Sequence, residues 1–209
     1  MKGRITLIDN LDSFSYNLVD ELSQLGYELK VYRNTISAER LLRELDSYSG
    51  PQVVCLSPGP GNPSQAGNLM DMIDACQKRY PMLGICLGFQ ALAEKSGARV
   101  DRCGEVVHGK TAQMLFRSHP LFASQPQQNH CVIGRYHSLS IYDLPATINV
   151  IGECQSVNGM IPMAAEFTEL NAVGFQFHPE SLLTPTGKLM LQDAVHYLFT
   201  QFSQGHSHE

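Results

Sequence analysis

The chain has 209 residues, 43% hydrophobic and 17% charged, with a formal net charge of −5. That length is most simply one domain, large enough for a well-buried core, and a slightly acidic balance without basic stretches excludes the electrostatic footprint of a nucleic-acid binder. The apolar run that follows Arg4 ends at Asp9, too soon for a signal peptide, and no segment is long enough to span a membrane, so a cytoplasmic protein is expected.

Ile5 to Asp9 reads as a strand, followed by an amphipathic helix from Ser13 to Leu25 with Phe14, Leu18, Leu22 and Leu25 near helical spacing. Asp12 or Ser13 can cap it, and Gly26 ends it. Glu28 to Tyr32 is strand-like, and Ser37 to Asp46 is helical with Leu41, Leu42 and Leu45 inward. Gln52 to Leu56 is a buried strand running into Ser57-Pro58-Gly59-Pro60-Gly61-Asn62-Pro63, and Pro81 to Ile85 is another, followed by a helix from Leu87 to Lys95 that stops at Gly97. This alternation predicts an α/β fold with a mostly parallel sheet, helices on both faces and ligand loops at the carboxyl ends of the strands. From Ala98 to Phe177 the elements shorten and turns multiply, which suggests antiparallel additions; Val173 to Phe177 alternates like a strand. Leu191, Val195, Leu198, Phe199 and Phe202 mark one face of a closing helix. Residues 1–209 are read as a single domain, ordered over about 3–203, with 204–209 as a tail in which His206 and His208 belong to a frayed end rather than a metal site.

The chemistry concentrates at two points. Cys86 stands between Gly84 and Gly88 at a strand-to-helix junction, where flanking glycines permit a tight, strained turn and the helix N-terminus favours a thiolate. Far downstream, Pro179 biases His178 toward an extended backbone, so that His178 and Glu180, two residues apart, face the same side as a base and its orienting carboxylate. An acid that follows the histidine argues against an α/β-hydrolase, whose order is nucleophile, acid, histidine. Taken singly, each motif fits a packing cysteine or a surface turn; their co-occurrence favours a cysteine nucleophile with its relay. The Pro-Gly loop adds a way to present backbone donors: if Gly59 lies beside Cys86, its N–H and that of Leu87 would form an oxyanion hole. Cys55, Cys76, Cys103, Cys131 and Cys154 lack the spacing of a zinc site or a disulfide framework and are expected to be free thiols.

Ser57-Pro58-Gly59-Pro60-Gly61, Gly84-Ile85-Cys86-Leu87-Gly88-Phe89-Gln90, Arg135-Tyr136-His137-Ser138-Leu139 and Gly174-Phe175-Gln176-Phe177-His178-Pro179-Glu180-Ser181 together resemble the class I glutamine amidotransferases, over nearly the whole chain. The opening Asp9 to Asn17 and His108-Gly109-Lys110 are similar to the subunits that feed ammonia to chorismate-using synthases. The resemblance implies a flavodoxin-like sheet with small antiparallel additions, and glutamine hydrolysis by Cys86 as nucleophile, His178 as general base and acid, and Glu180 as its orienting group. It further implies oxyanion donors at Gly59, within a substrate loop that includes Pro60 and Gly61, and at Leu87 beside the nucleophile. Gln90, Ser138 and Leu139 would hold the amino-acid head of L-glutamine. No cofactor or metal is implied for this chain, although its partner synthase is expected to use Mg2+. Relatives usually carry histidine where this chain has Phe89, a departure that bears on the glutamine pocket.

Three readings compete. One is a glutaminase subunit serving anthranilate synthase component I, toward which Gly61 leans, with the equivalent subunit for aminodeoxychorismate synthesis, or one subunit shared by both pathways, as its rival. Another is a free-standing cysteine hydrolase of γ-glutamyl bonds. The third, a non-catalytic scaffold, sits poorly with an intact Cys86, His178 and Glu180.

Overall fold

The computed structural model describes residues 3–125 and 129–205, with backbone alone for 202–205. The expected alternation appears in order: β1 (Arg4–Asp9), α1 (Ser15–Ser23), β2 (Glu28–Arg33), α2 (Ala38–Asp46), β3 (Gln52–Leu56), α3 (Leu69–Cys76), β4 (Met82–Ile85) and α4 (Leu87–Lys95). The second half contributes β5 (Arg99–Arg102), β6 (Lys110–Phe116), β7 (His130–Arg135), β8 (Leu139–Tyr142), β9 (Ile148–Ser156), β10 (Gly159–Phe167), β11 (Ala172–Phe175) and α5 (Gly187–Gly205). The last helix therefore runs two residues into the stretch expected to be tail; His206 and His208 lie outside the described residues, as does the side chain of Phe202.

A nine-stranded sheet has the order β2-β1-β3-β4-β11-β10-β9-β6-β7. Its first five strands are mutually parallel and the rest join antiparallel. The expected antiparallel additions thus extend the main sheet, while β5 and β8 form a separate two-stranded ribbon. The 2-1-3-4 order puts the topological switch between β1 and β3, the place where open α/β sheets gather ligands beyond their carboxyl ends.

Two apolar layers cover the sheet. On one face Leu18 and Leu22 of α1 and Met190, Leu191, Ala194, Val195 and Leu198 of α5 pack on Ile5, Leu7, Val53 and Cys55. On the other, Leu41 and Leu45 of α2, Met72 and Ile73 of α3 and Leu92 of α4 pack on Ile8, Val54 and Leu56. Leu42 is only partly buried at the margin of that layer. β3 from Val53 onward and all of β4 are apolar because both their faces are covered, as the sequence implied.

The first helix starts later than its hydrophobic pattern suggests. Leu11 takes a φ of 64°, and the Asp12 carboxylate accepts the Phe14 N–H at 2.8 Å in a local turn instead of capping the helix. Ser37 does cap α2, accepting the Arg40 N–H.

Candidate active site

Cys86 links β4 to α4 with φ 51° and ψ −97°, a conformation that costs a non-glycine residue on the order of 1–3 kcal/mol. The turn is held from both sides: the Cys86 N–H donates to Phe175 O at 2.8 Å, and the Gln90 N–H donates to Cys86 O at 3.0 Å. The strain sits on the cysteine itself rather than on the glycines beside it. Gly88 serves close packing, because a Cβ there would lie 2.3 Å from the Leu56 carbonyl oxygen.

His178 comes from the segment after β11. The strand ends at Phe175, two residues short of the sequence pattern, and His178 to Ser181 form a turn closed by the Ser181 N–H on His178 O at 3.2 Å. His178 and Glu180 therefore meet across a turn, not along an extended strand as expected, with Nδ1 2.8 Å from Oε1 of Glu180. Thr184 fixes this turn by donating its hydroxyl to His178 O at 2.7 Å while accepting the Gly134 N–H at 2.9 Å. Both catalytic candidates are buried, and the Glu180 side chain has no exposed surface. Phe14 and Tyr136 cover the imidazole, with ring centroids 4.8 and 5.1 Å away.

Burial by itself depresses the His178 imidazolium, but the neighbouring Cys86 sulfur and the Glu180 carboxylate outweigh it, so His178 keeps its proton well above the ordinary histidine range. Burial pushes the Cys76 and Cys131 thiols up to about 12 and raises Cys55 and Cys154 as well.

The Pro-Gly loop leaves β3 beside β1. Ser57 Oγ accepts the Asn10 N–H at 2.8 Å, and the Asn10 amide donates to Ser57 O at 2.9 Å. Gly59 packs so closely on the residue after the nucleophile that a Cβ would fall 2.4 Å from Leu87 Cδ2 and 2.7 Å from Asn10 Cβ. Pro60 and Gly61 lie on the outer, exposed limb of the loop.

Ser138 and Leu139 lie on the other side. Ser138 is exposed, and its carbonyl accepts the Cys103 N–H at 2.9 Å. Leu139 O receives two donors, His137 Nδ1 at 2.8 Å and Gln90 Nε2 at 3.4 Å. Because His137 Nε2 faces the Arg135 Nε donor at 3.2 Å, the neutral tautomer must carry its proton on Nδ1. Burial brings His137 down to about 4, and Arg135 is in turn bound to Glu105 at 3.0 Å. Clefts of about 480 and 510 Å3 border this segment, one reaching Ser138 and the other Leu139.

Phe89 stays out of this region. It is fully buried, edge-on to Phe167 at 5.5 Å between centroids. Phe14, Tyr136, His137 and Gln176 are the site-region residues to which sequence reasoning gave no part in the chemistry, although all four lay within its quoted motifs.

The site thus combines a strained buried cysteine, a histidine electrostatically coupled to it, a buried carboxylate behind the histidine, and a glycine loop against the N-terminus of α4. Residues 6–198 match the family model described as Glutamine amidotransferase class-I. The chain is 44% identical over 195 residues to a Helicobacter pylori protein named anthranilate synthase component 2, with 93% of this chain and 97% of that one covered. A Corynebacterium glutamicum protein of the same name is 43% identical over 208 residues, with the same coverage. Among solved structures, a putative GMP synthase subunit from Thermoplasma acidophilum superposes with a TM-score of 0.80 at 22% identity, covering 98% of this chain and 97% of that one. A glutamine amidotransferase from Thermotoga maritima gives 0.69 at 19% identity, covering 95% and 98%. At those identities the two structures speak to the fold.

Proposed function

The chain belongs to the class-I glutamine amidotransferase family, and from that premise we propose that it is the glutaminase subunit of an anthranilate synthase, hydrolysing L-glutamine and passing ammonia to a chorismate-using component I. The pathway reading rests on relatives that share about two residues in five with this chain across nearly their whole length and carry the component 2 name. Those names do not favour the aminodeoxychorismate alternative.

The chemistry rests above all on the buried His178–Glu180 pair at 2.8 Å beside Cys86. In the proposed cycle the Cys86 sulfur adds to the side-chain carbonyl carbon of glutamine, forming the C–S bond and placing the electron pair on oxygen, which the Gly59 and Leu87 N–H groups would meet. As the oxyanion collapses, the C–N bond breaks and the nitrogen leaves as ammonia with a proton from the His178 imidazolium. Neutral His178 then takes a proton from water, whose oxygen attacks the thioester. The C–S bond breaks, glutamate leaves and the sulfur regains its starting state. Glu180 holds the ring through Nδ1 and stabilises its cation throughout. Gln90, Ser138 and Leu139 are assigned to the amino-acid head of the substrate. Amide hydrolysis through a thioester needs only a nucleophile, a proton relay and oxyanion donors, so no cofactor is assigned to this chain; any Mg2+ requirement is assigned to the partner.

The test is Cys86→Ser in the reconstituted complex. Anthranilate formation from glutamine should vanish while formation from ammonium salts continues at close to the wild-type rate; loss of both in an assembled complex would refute the division of labour.

A further inference from the structure

Gln176 has no role in the cycle above, yet it lies between the nucleophile and a residue assigned to substrate. It is fully buried directly after β11, with its backbone N–H on Met163 O at 2.8 Å. Its side-chain Oε1 accepts from Gln90 Nε2 at 3.0 Å, and its Nε2 lies 3.7 Å from Cys86 Sγ. The surrounding groups fix the orientation of both amides. The Leu139 carbonyl can only accept, so it faces the NH2 of Gln90. That same NH2 requires an acceptor from Gln176, which leaves the Gln176 NH2 as the group presented to sulfur.

We propose that Gln176 is a further residue of the catalytic centre: a neutral donor that, with His178, holds the Cys86 sulfur in its attacking rotamer and couples it to Gln90. A thiol side chain has three staggered positions available. A donor at 3.7 Å from Sγ, itself anchored on Gln90, selects one of them, and an N–H donor favours the anionic sulfur that attacks and later departs. The Phe175 carbonyl binds the Cys86 backbone, so adjacent residues of one segment fix both the main chain and the side chain of the nucleophile. The link onward to Gln90 and Leu139 gives the substrate's amino-acid head a two-amide path to the sulfur. The inference rests on Cys86 being the nucleophile.

The experiment compares Gln176→Met, which keeps the volume but removes the donor, with wild type in the reconstituted complex. Two quantities are read: glutamate release, and the rate at which iodoacetamide, a neutral reagent with no amino-acid head, alkylates Cys86 by peptide mapping. Both kcat and the alkylation rate should fall together by about tenfold, with KM for glutamine within about threefold of wild type. A wild-type alkylation rate, or a loss confined to KM, would overturn the proposal. If Gln176→Met does not fold, the wild-type complex still decides through the 15N-labelled Gln176 side-chain amide: alkylating Cys86 should move its resonance and speed its hydrogen exchange, and an unmoved, unprotected amide refutes the contact. Cys86→Ala separates the two levels of inference. Abolished glutamate release supports the nucleophile assignment beneath the proposal, whereas retained release overturns that assignment whatever Gln176 does.

Discussion

Replacing Glu180 by glutamine removes one buried charge while keeping an oxygen that can accept the His178 Nδ1–H. The carboxylate side chain is fully buried and 2.8 Å from the ring, so solvent screening is small. With charge centres about 4 Å apart, Coulomb's law at an effective dielectric of about 20 gives about 4 kcal/mol of support for the imidazolium. Part of this is returned because a neutral amide is less costly to bury than a carboxylate. A net loss of about 2–4 kcal/mol slows glutamate release by roughly 30- to 1000-fold. His178→Ala removes the proton carrier itself and should cost at least about tenfold more. The pH profile gives the second readout. His178 titrates above the ordinary range partly because of Glu180, so losing that charge lets the proton leave at lower pH. The alkaline limb of kcat/KM should therefore move toward acid. Steady-state glutamate release by the complex between about pH 6 and 10 tests both outcomes. An unmoved alkaline limb, or a loss equal to or exceeding that of His178→Ala, would mean that Glu180 does not support the imidazolium.

An electrophilic glutamine analogue should modify Cys86 before the other five cysteines, because burial raises Cys55, Cys76, Cys131 and Cys154 and none of the five adjoins His178 in the site described; peptide mapping that finds another thiol labelled first counts against the assignment. Gly88→Ala should destabilise the fold by about 1–3 kcal/mol and depress turnover, since its methyl would press on the backbone of Leu56; an unchanged urea midpoint refutes the packing argument. His137 should make the fold acid-sensitive. In the unfolded chain it takes a proton below about pH 6.5, whereas the folded chain keeps it neutral down to about 4. Its stabilisation is therefore complete above the first value and lost progressively as pH falls to the second. At pH 5 the loss is about 2 kcal/mol, so His137→Asn should narrow the wild-type difference in unfolding free energy between pH 7 and 5 by that amount, and an equal difference in both proteins would contradict it.

The sequence by itself determined the parts whose signal is local. Strand and helix periods from Ile5 to Lys95 specify their elements because each pattern reports burial of one face, and the apolar runs Val53 to Leu56 and Met82 to Ile85 announce that both faces of β3 and β4 are covered. Cys86 between glycines and the His178-Pro179-Glu180 motif identify the chemistry because nucleophile and relay each fit within a few residues of chain. Tertiary structure decided how these pieces meet. It put the strain on Cys86 instead of its glycines, since the Phe175 carbonyl and the close approach of Leu56 to Gly88 come from other strands. It brought His178 to Glu180 through a turn anchored by Thr184, where the sequence suggested an extended segment. It also joined β10, β9, β6 and β7 to the parallel sheet in an order no short-range pattern specifies. Gln176 shows the reason most clearly: its alternating strand pattern says only that it faces one side of the sheet, whereas the partners that define its chemistry, Cys86 and Gln90, are 90 and 86 residues away in the chain. Contacts at that separation exist only once the sheet has closed over the site.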